Sequence, residues 1–206
     1  MNSTKEKVSY CIGFETAKNL KQQFSDIDQK LLLEGFHEGL EGKNPRLSQD
    51  EIRSILNALR TQVESQQKQY ISQLAQENKK QGDLFFSTNK NKEGVKTLPS
   101  GLQYKIIQSG VGKTPTLFDT VKIHYTGKFL DGRVFDSSKE RGEPAVFPLN
   151  KLIPGWSEAL QLMKVGDKWE LFVPSYLAYG EHGYGPEIGP NCALTFEVEL
   201  LGINEK

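Results

Sequence analysis

Val121-Lys-Ile-His-Tyr-Thr-Gly-Lys-Phe-Leu-Asp-Gly-Arg-Val-Phe-Asp136 decides how the second half of this chain folds. Val121, Ile123 and Tyr125 alternate with Lys122, His124 and Thr126. A period of two puts one set of side chains on each face of a strand. Asp131-Gly132 then sits between Phe129-Leu130 and Val134-Phe135, a hairpin signal because glycine takes up the positive backbone angles that tight turns need. The segment predicts two antiparallel strands with one dry and one wet face.

The same texture extends in both directions. Pro99-Ser100-Gly101 reads as a turn, and Leu102, Tyr104 and Ile106 alternate with Gln103 and Lys105. Trp169, Leu171 and Val173 alternate up to Pro174, and Leu194, Phe196, Val198 and Leu200 alternate with Thr195, Glu197 and Glu199. One short helical stretch is available to cover the dry face: Trp156 to Met163, with Trp156, Leu160 and Met163 on one side. The half from residue 98 to residue 206 is therefore α+β, a curved antiparallel sheet wrapped over one short helix.

Upstream of Leu98 the period changes. No proline occurs before Pro45 or between Arg46 and Thr97. Val8, Ile12, Ala17, Leu20 and Phe24 suggest a first helix. A second, with Asp28 as a possible N-cap, carries Leu31, Leu32, Leu33, Phe36 and Leu40 and ends at Gly42. A third opens at Ser48-Gln-Asp-Glu51, a capping box in which the serine and glutamate side chains satisfy each other's backbone N–H groups. Its stripe of Ile52, Ile55, Leu56, Leu59 and Val63 fades into a glutamine-rich stretch, with a brief revival at Tyr70, Ile71 and Leu74. A helix that is amphipathic early and polar all round later reads as a bridge, not a core element. Continued to about Glu93, this helix is roughly 70 Å long, and Gly82 is the one place where it invites interruption. The expected organisation is an all-helical module over residues 1–47, a long connecting helix and linker over 48–97, and a sheet domain over 98–206. So small a helical module buries little apolar surface alone, so a second copy is the expected partner of its stripe. The alternative is packing back onto the sheet half.

Composition excludes several classes. The 26 basic and 26 acidic side chains cancel, which removes any general electrostatic attraction to nucleic acid or to an anionic membrane. No stretch approaches a membrane span. Cys11 and Cys192 lie far apart, without CxxC or clustered Cys/His spacing, so neither a zinc site nor a disulfide framework is expected. The N-terminal residues lack the apolar core of a signal peptide. A cytoplasmic location is the expectation, with the periplasm as the alternative if a leader precedes residue 1.

Nucleophile settings are missing too. Ser137 and Ser138 lack a G-x-S-x-G frame. His124 falls on the wet side of its strand, and the glycine run around Gly183 leads into a proline instead of a helix, a weak phosphate cradle. What remains is a set of aromatic residues near turns and strand ends, which by composition suits the filling of a small core more than a ligand pocket.

The surrounding sequence changes that reading. Val121-Lys-Ile-His-Tyr-Thr-Gly127, Asp131-Gly-Arg-Val-Phe-Asp-Ser-Ser138, Ile153-Pro-Gly-Trp156 and Leu177-Ala-Tyr-Gly180 together resemble the FKBP-type peptidyl-prolyl cis–trans isomerases, over about Leu98 to Glu205. Tyr10-Cys-Ile-Gly13 and Leu40-Glu-Gly-Lys43 are similar to the N-terminal dimerisation module of the bacterial Mip-like members (macrophage infectivity potentiator relatives).

The resemblance implies an apolar pocket for a proline ring, with catalytic positions at Tyr125, Phe135, Asp136, Trp156, Tyr179 and Phe196. Trp156 would be its floor, and Tyr125, Phe135, Phe196 and Ile153 its walls, with Leu152 beside them. Asp136 would lie at the rim with Arg141, Tyr179 would offer its hydroxyl to a carbonyl, and Tyr184 and Ile188 would close one side. No metal or cofactor is implied. The implied partners are unfolded or partly folded proline-containing polypeptides, macrolide inhibitors such as rapamycin, and a second copy through the N-terminal helices, with chaperone activity from the dimer cleft. A non-catalytic holdase and a macrolide-binding module are the rival readings. Tyr184, Ala145 and Lys151 depart from the single-domain eukaryotic members, where histidine, an aromatic and an acidic residue are common. Those changes bear on substrate preference and inhibitor strength.

Overall fold

A computed structural model describes residues 1–24 and 26–204. The chain packs as two compact units, Met1–Gln62 and Val63–Lys206, which divide within one helix. By packing, the second half of that helix therefore belongs with the sheet.

The first unit holds α1 (Thr4–Gln23), α2 (Gln29–Leu40) and the start of α3 (Gln49–Asn89). Each start has a local cause. Ser3 and Glu6 form a capping box at α1 that the sequence reading did not single out. Asp28 accepts the Lys30 and Leu31 N–H groups at α2. At α3, Ser48 N–H donates to the Glu51 carboxylate (2.9 Å) and Glu51 N–H to the Ser48 hydroxyl (3.3 Å). Arg46 bridges Glu34 and Glu38 of α2. Yet α1 and α2 bury no residue, and Leu33 and Leu40 are 69% and 79% exposed. The apolar stripes are real, and among the described residues they remain largely exposed.

The second unit adds β1 (Val95–Thr97), β2 (Gln103–Gln108), β3 (Thr120–Phe129), β4 (Val134–Ser137), α4 (Ser138–Arg141), β5 (Ala145–Pro148), α5 (Pro154–Leu160), β6 (Lys168–Val173) and β7 (Leu194–Ile203). Among the described residues the strands form one antiparallel sheet in the order β1-β2-β6-β7-β3-β4, with β5 also on β3. Thr126–Lys128 of β3 pairs with β4 and Thr120–Ile123 with β5. Register shifts opposite Lys122/Ile123 and Gly127/Lys128 leave Leu201 of β7 and Phe135 of β4 as extra residues, and an extra residue bends the strand that carries it. The curved sheet closes over α5, whose Trp156, Ala159 and Leu160 join Val121, Ile123, Leu171, Val198 and Leu200 in the core.

The structure refines three expectations. α5 begins at Pro154, since proline at the first helical position gives up an N–H that would be unpaired anyway, and it ends at Leu160. Met163 is nevertheless fully buried, its N–H bonded to Ala159 and Leu160 carbonyls. α3 runs through Gly82 without a break and ends at Asn89. Its last turns are not a polar bridge. Gly82 and Asn89 are buried, Phe85 lies 5.8 Å from Phe172, and Asn89 donates to the buried Gln103 side chain (3.0 Å), which donates to the Phe86 carbonyl (3.0 Å). Among the described residues no helix is long and apolar enough to cross a membrane.

Candidate active site

The concave face of the sheet and the start of α5 enclose a cavity of about 430 Å³. Trp156, only 4% exposed, is held there because Pro154 starts α5 directly beneath the sheet. Its indole meets Tyr125 from β3 edge to face (5.1 Å between centroids, 77°) and Phe196 from β7 in the same way (5.1 Å, 84°). Phe135 from β4 stands edge-on to Phe196 (5.8 Å, 87°). Quadrupolar rings prefer this geometry, and each pair adds about 0.5–1.5 kcal/mol beyond burial. Gly127 makes it possible. A Cβ at that position would lie 2.7 Å from Phe135 Cζ and 2.9 Å from Phe196 Cε1, so a larger residue would push both rings out of place.

One wall is polar. The Tyr125 hydroxyl donates to Asp136 Oδ2 (2.5 Å) and accepts from Arg141 Nη2 (2.9 Å), while Arg141 Nη1 pairs with Asp136 Oδ1. α4 carries Arg141 into place, capped at its start by Ser137 and at its end by Gly142 in a left-handed conformation. Burial drives the Tyr125 hydroxyl above its ordinary pKa, and the Asp136 charge drives it further. Burial pushes the Asp136 carboxyl up as well, but Tyr125, Arg141 and the Ser137 N–H outweigh it and hold the carboxyl below its ordinary value. Tyr125, then Asp136, hold the guanidinium charged more firmly than usual. At neutral pH the trio is a neutral phenol between a carboxylate and a guanidinium.

Ser138, fully buried, ties this wall to β3. Its hydroxyl accepts the Tyr125 N–H (2.8 Å) and lies 3.0 Å from His124 Nδ1. His124 is half-buried against α4 instead of standing free on a wet face. Across the cavity, Tyr179 and Tyr184 stack at 4.9 Å and 24°. Burial, then the neighbouring Tyr184 and Asp136, raise the Tyr179 hydroxyl's pKa.

Tyr125, Phe135, Asp136, Leu152, Ile153, Trp156, Tyr179, Tyr184 and Phe196 thus share one hollow. Two expected residues stand elsewhere. Ile188 does not line the cavity: it is 5% exposed in the core, and its backbone pairs with Tyr184 from beneath. Its side chain turns inward because the loop folds back on itself at that point. Arg141 is not on the lining either and acts on Asp136 and the Tyr125 hydroxyl from behind the rim. Phe147 and Lys151 line the hollow without having been assigned to it. Phe147 sits 6.4 Å from the Tyr125 ring on a four-residue strand too short to show a period.

The model of the family described as FKBP-type peptidyl-prolyl cis-trans isomerase matches residues 112–201, and that of the domain amino terminal to FKBP-type peptidyl-prolyl isomerase matches residues 5–106. The chain belongs to the FKBP-type peptidyl-prolyl isomerases. Similar proteins include the outer membrane protein MIP of Legionella longbeachae, 42% identical over all of this chain and 88% of that one. The FKBP-type 22 kDa peptidyl-prolyl cis-trans isomerase of Escherichia coli is 43% identical over 96% of this chain and 94% of that one. The crystal structure of FkpA from Escherichia coli superposes with a TM-score of 0.77 at 35% identity, covering 98% of both chains. This FKBP-type enzyme is an isomerase, and it has the architecture expected of it: a helical N-terminal region, a long helix and a sheet domain with one short helix.

Proposed function

We propose that the aromatic cavity is the catalytic site and that it works by receiving the proline ring of an X–Pro segment on Trp156, between Tyr125, Phe135 and Phe196. Resonance holds the prolyl amide planar behind a barrier of about 18–20 kcal/mol, and uncatalysed exchange takes tens to hundreds of seconds. The twisted transition state has lost resonance and carries less charge separation than the planar amide. Surroundings that exclude water therefore favour it over the ground state. The observation that carries this reading is the lining itself, a buried indole in edge-to-face contact with Tyr125 and Phe196, with Phe135 edge-on to Phe196.

Tyr179 would hydrogen-bond a substrate carbonyl, and Asp136 with Arg141 would fix the Tyr125 wall. Leu152, Ile153 and Tyr184 would contact residues flanking the proline. Macrolides such as rapamycin would occupy the same hollow and compete with peptide. The decisive measurement is NMR exchange or protease-coupled isomerisation of a proline tetrapeptide, with and without a macrolide. Acceleration that a macrolide leaves untouched would place catalysis elsewhere.

A second reading concerns clients. Apolar residues of α1 and α2, with Tyr10, Phe14 and Phe36 exposed and Leu20 and Leu32 half-buried, line a hollow of about 340 Å³. We infer that a second copy covers this face and that the dimer, offering two pockets to one unfolded chain, also acts as a chaperone. Equal catalysis of proline-limited refolding by full chain and monomeric variant would remove the need for the pair.

A further inference from the structure

The segment between the turn at Tyr179 and β7 carries Tyr184 over the cavity, and it is internally stiff. The Asn191 N–H donates to the Gly180 carbonyl at its base (2.8 Å). Tyr184 and Ile188 exchange backbone hydrogen bonds at 2.7 and 3.2 Å. Gly183 adopts φ +67, where a Cβ would stand 2.0 Å from the Ile188 carbonyl oxygen. Such a loop moves as one piece, so its placement depends on what it is fastened to.

It is fastened to α3. Asn78 Nδ2 donates to the Pro190 carbonyl (2.8 Å) and lies 3.2 Å from Cys192 Sγ. In return Asn191 Nδ2 donates to the Ala75 carbonyl of the helix (3.3 Å). Asn191 has a left-handed backbone, φ +56, which few residues other than glycine and asparagine accept readily. Both surfaces are small at the contact. A Cβ on Gly189 would stand 3.3 Å from Leu74 Cδ2, and one on Gly82 would stand 3.4 Å from Ala193 Cβ.

We propose that Asn78 and Asn191 are positioning residues for the isomerase site: the second half of α3 fixes the loop whose Tyr184 closes the pocket, so the helix helps set substrate affinity. This rests on the reading of the cavity given above. Asn78→Asp keeps the side-chain shape but cannot donate to the Pro190 carbonyl. In the full chain it raises KM for a proline peptide by about two- to tenfold, the worth of one hydrogen bond, with kcat within about twofold. Hydrogen exchange at the Tyr184 and Ile188 amides quickens while β3 and β7 amides keep their protection. Asn191→Gly retains the left-handed backbone without the amide and behaves alike, which covers a failure of Asn78→Asp to fold. In a Tyr184→Ala background the Asn78→Asp effect on KM disappears. A normal KM in both asparagine variants beside a raised KM in Tyr184→Ala overturns the positioning role alone. A normal KM in Tyr184→Ala overturns the role of Tyr184 in binding and the inference with it, whereas the pocket reading itself falls only if Trp156→Ala keeps full activity.

Discussion

Replacing Trp156 by leucine and by alanine separates water exclusion from any special property of the indole. The ring is almost wholly buried and makes edge-to-face contacts with Tyr125 and Phe196. Losing both contacts costs about 1–3 kcal/mol. Truncation of a buried tryptophan to alanine costs about 3–5 kcal/mol in all, and leucine, which refills part of the space, should cost about 2 kcal/mol. For catalysis the two variants diverge. Leucine keeps the floor dry and apolar, so kcat/KM should fall by less than about tenfold. Alanine opens the floor, and the proline ring loses an apolar contact of about 1.5–3 kcal/mol. At about 1.4 kcal/mol per factor of ten, kcat/KM should fall by roughly ten- to hundredfold. Urea denaturation gives the stabilities, and NMR exchange spectroscopy on a proline tetrapeptide gives the rates below the unfolding transition. Equal losses for leucine and alanine would refute the desolvation mechanism, because then the indole itself would be the agent. Full activity in Trp156→Ala would refute the location of the site.

Three further outcomes are expected. Tyr125→Phe removes a donor to Asp136 and an acceptor for Arg141, and should cost about 1 kcal/mol at pH 7 because the carboxylate is partly solvated. The native Asp136 pKa is depressed, so its stabilisation is present above the unfolded value of 3.8 and is lost as pH falls through the lower folded value. The gap between parent and variant in urea titrations should therefore narrow below pH 4, and a constant gap would count against the trio. A fragment beginning at Val63 should match the full chain in peptide isomerisation, whereas one beginning at Leu98 should lose about 2–4 kcal/mol, because Phe172 and Gln103 lose Phe85, Phe86 and Asn89. Equal denaturation midpoints for the two fragments would contradict the docking of α3. Leu33→Glu alters a residue exposed in the single chain, so it should shift sedimentation from dimer to monomer while leaving tetrapeptide turnover per chain unchanged.

Local chemistry was legible from the sequence alone. The Ser48–Glu51 capping box, the Asp28 cap and the alternation Val121-Ile123-Tyr125 each depend on neighbours a few positions away, and each stands where it was read. The motifs around Tyr125, Asp136, Trp156 and Tyr179 also carried the family, and with it most of the cavity lining. Tertiary structure decided the rest. Nothing near Ile188 says that its side chain turns into the core while Tyr184, four residues earlier, faces the hollow; the backbone pair between them does that. Phe147 joins the lining through pairing of a short strand with β3. The polar turns of α3 looked solvated because hydropathy counts Asn78, Gly82 and Asn89 as poor core residues. They are buried or half-buried because small and hydrogen-bonding groups allow helix and loop to approach closely, and that partnership links residues more than a hundred positions apart. Periodicity reports which side of an element is dry, but only the folded chain settles what dries it.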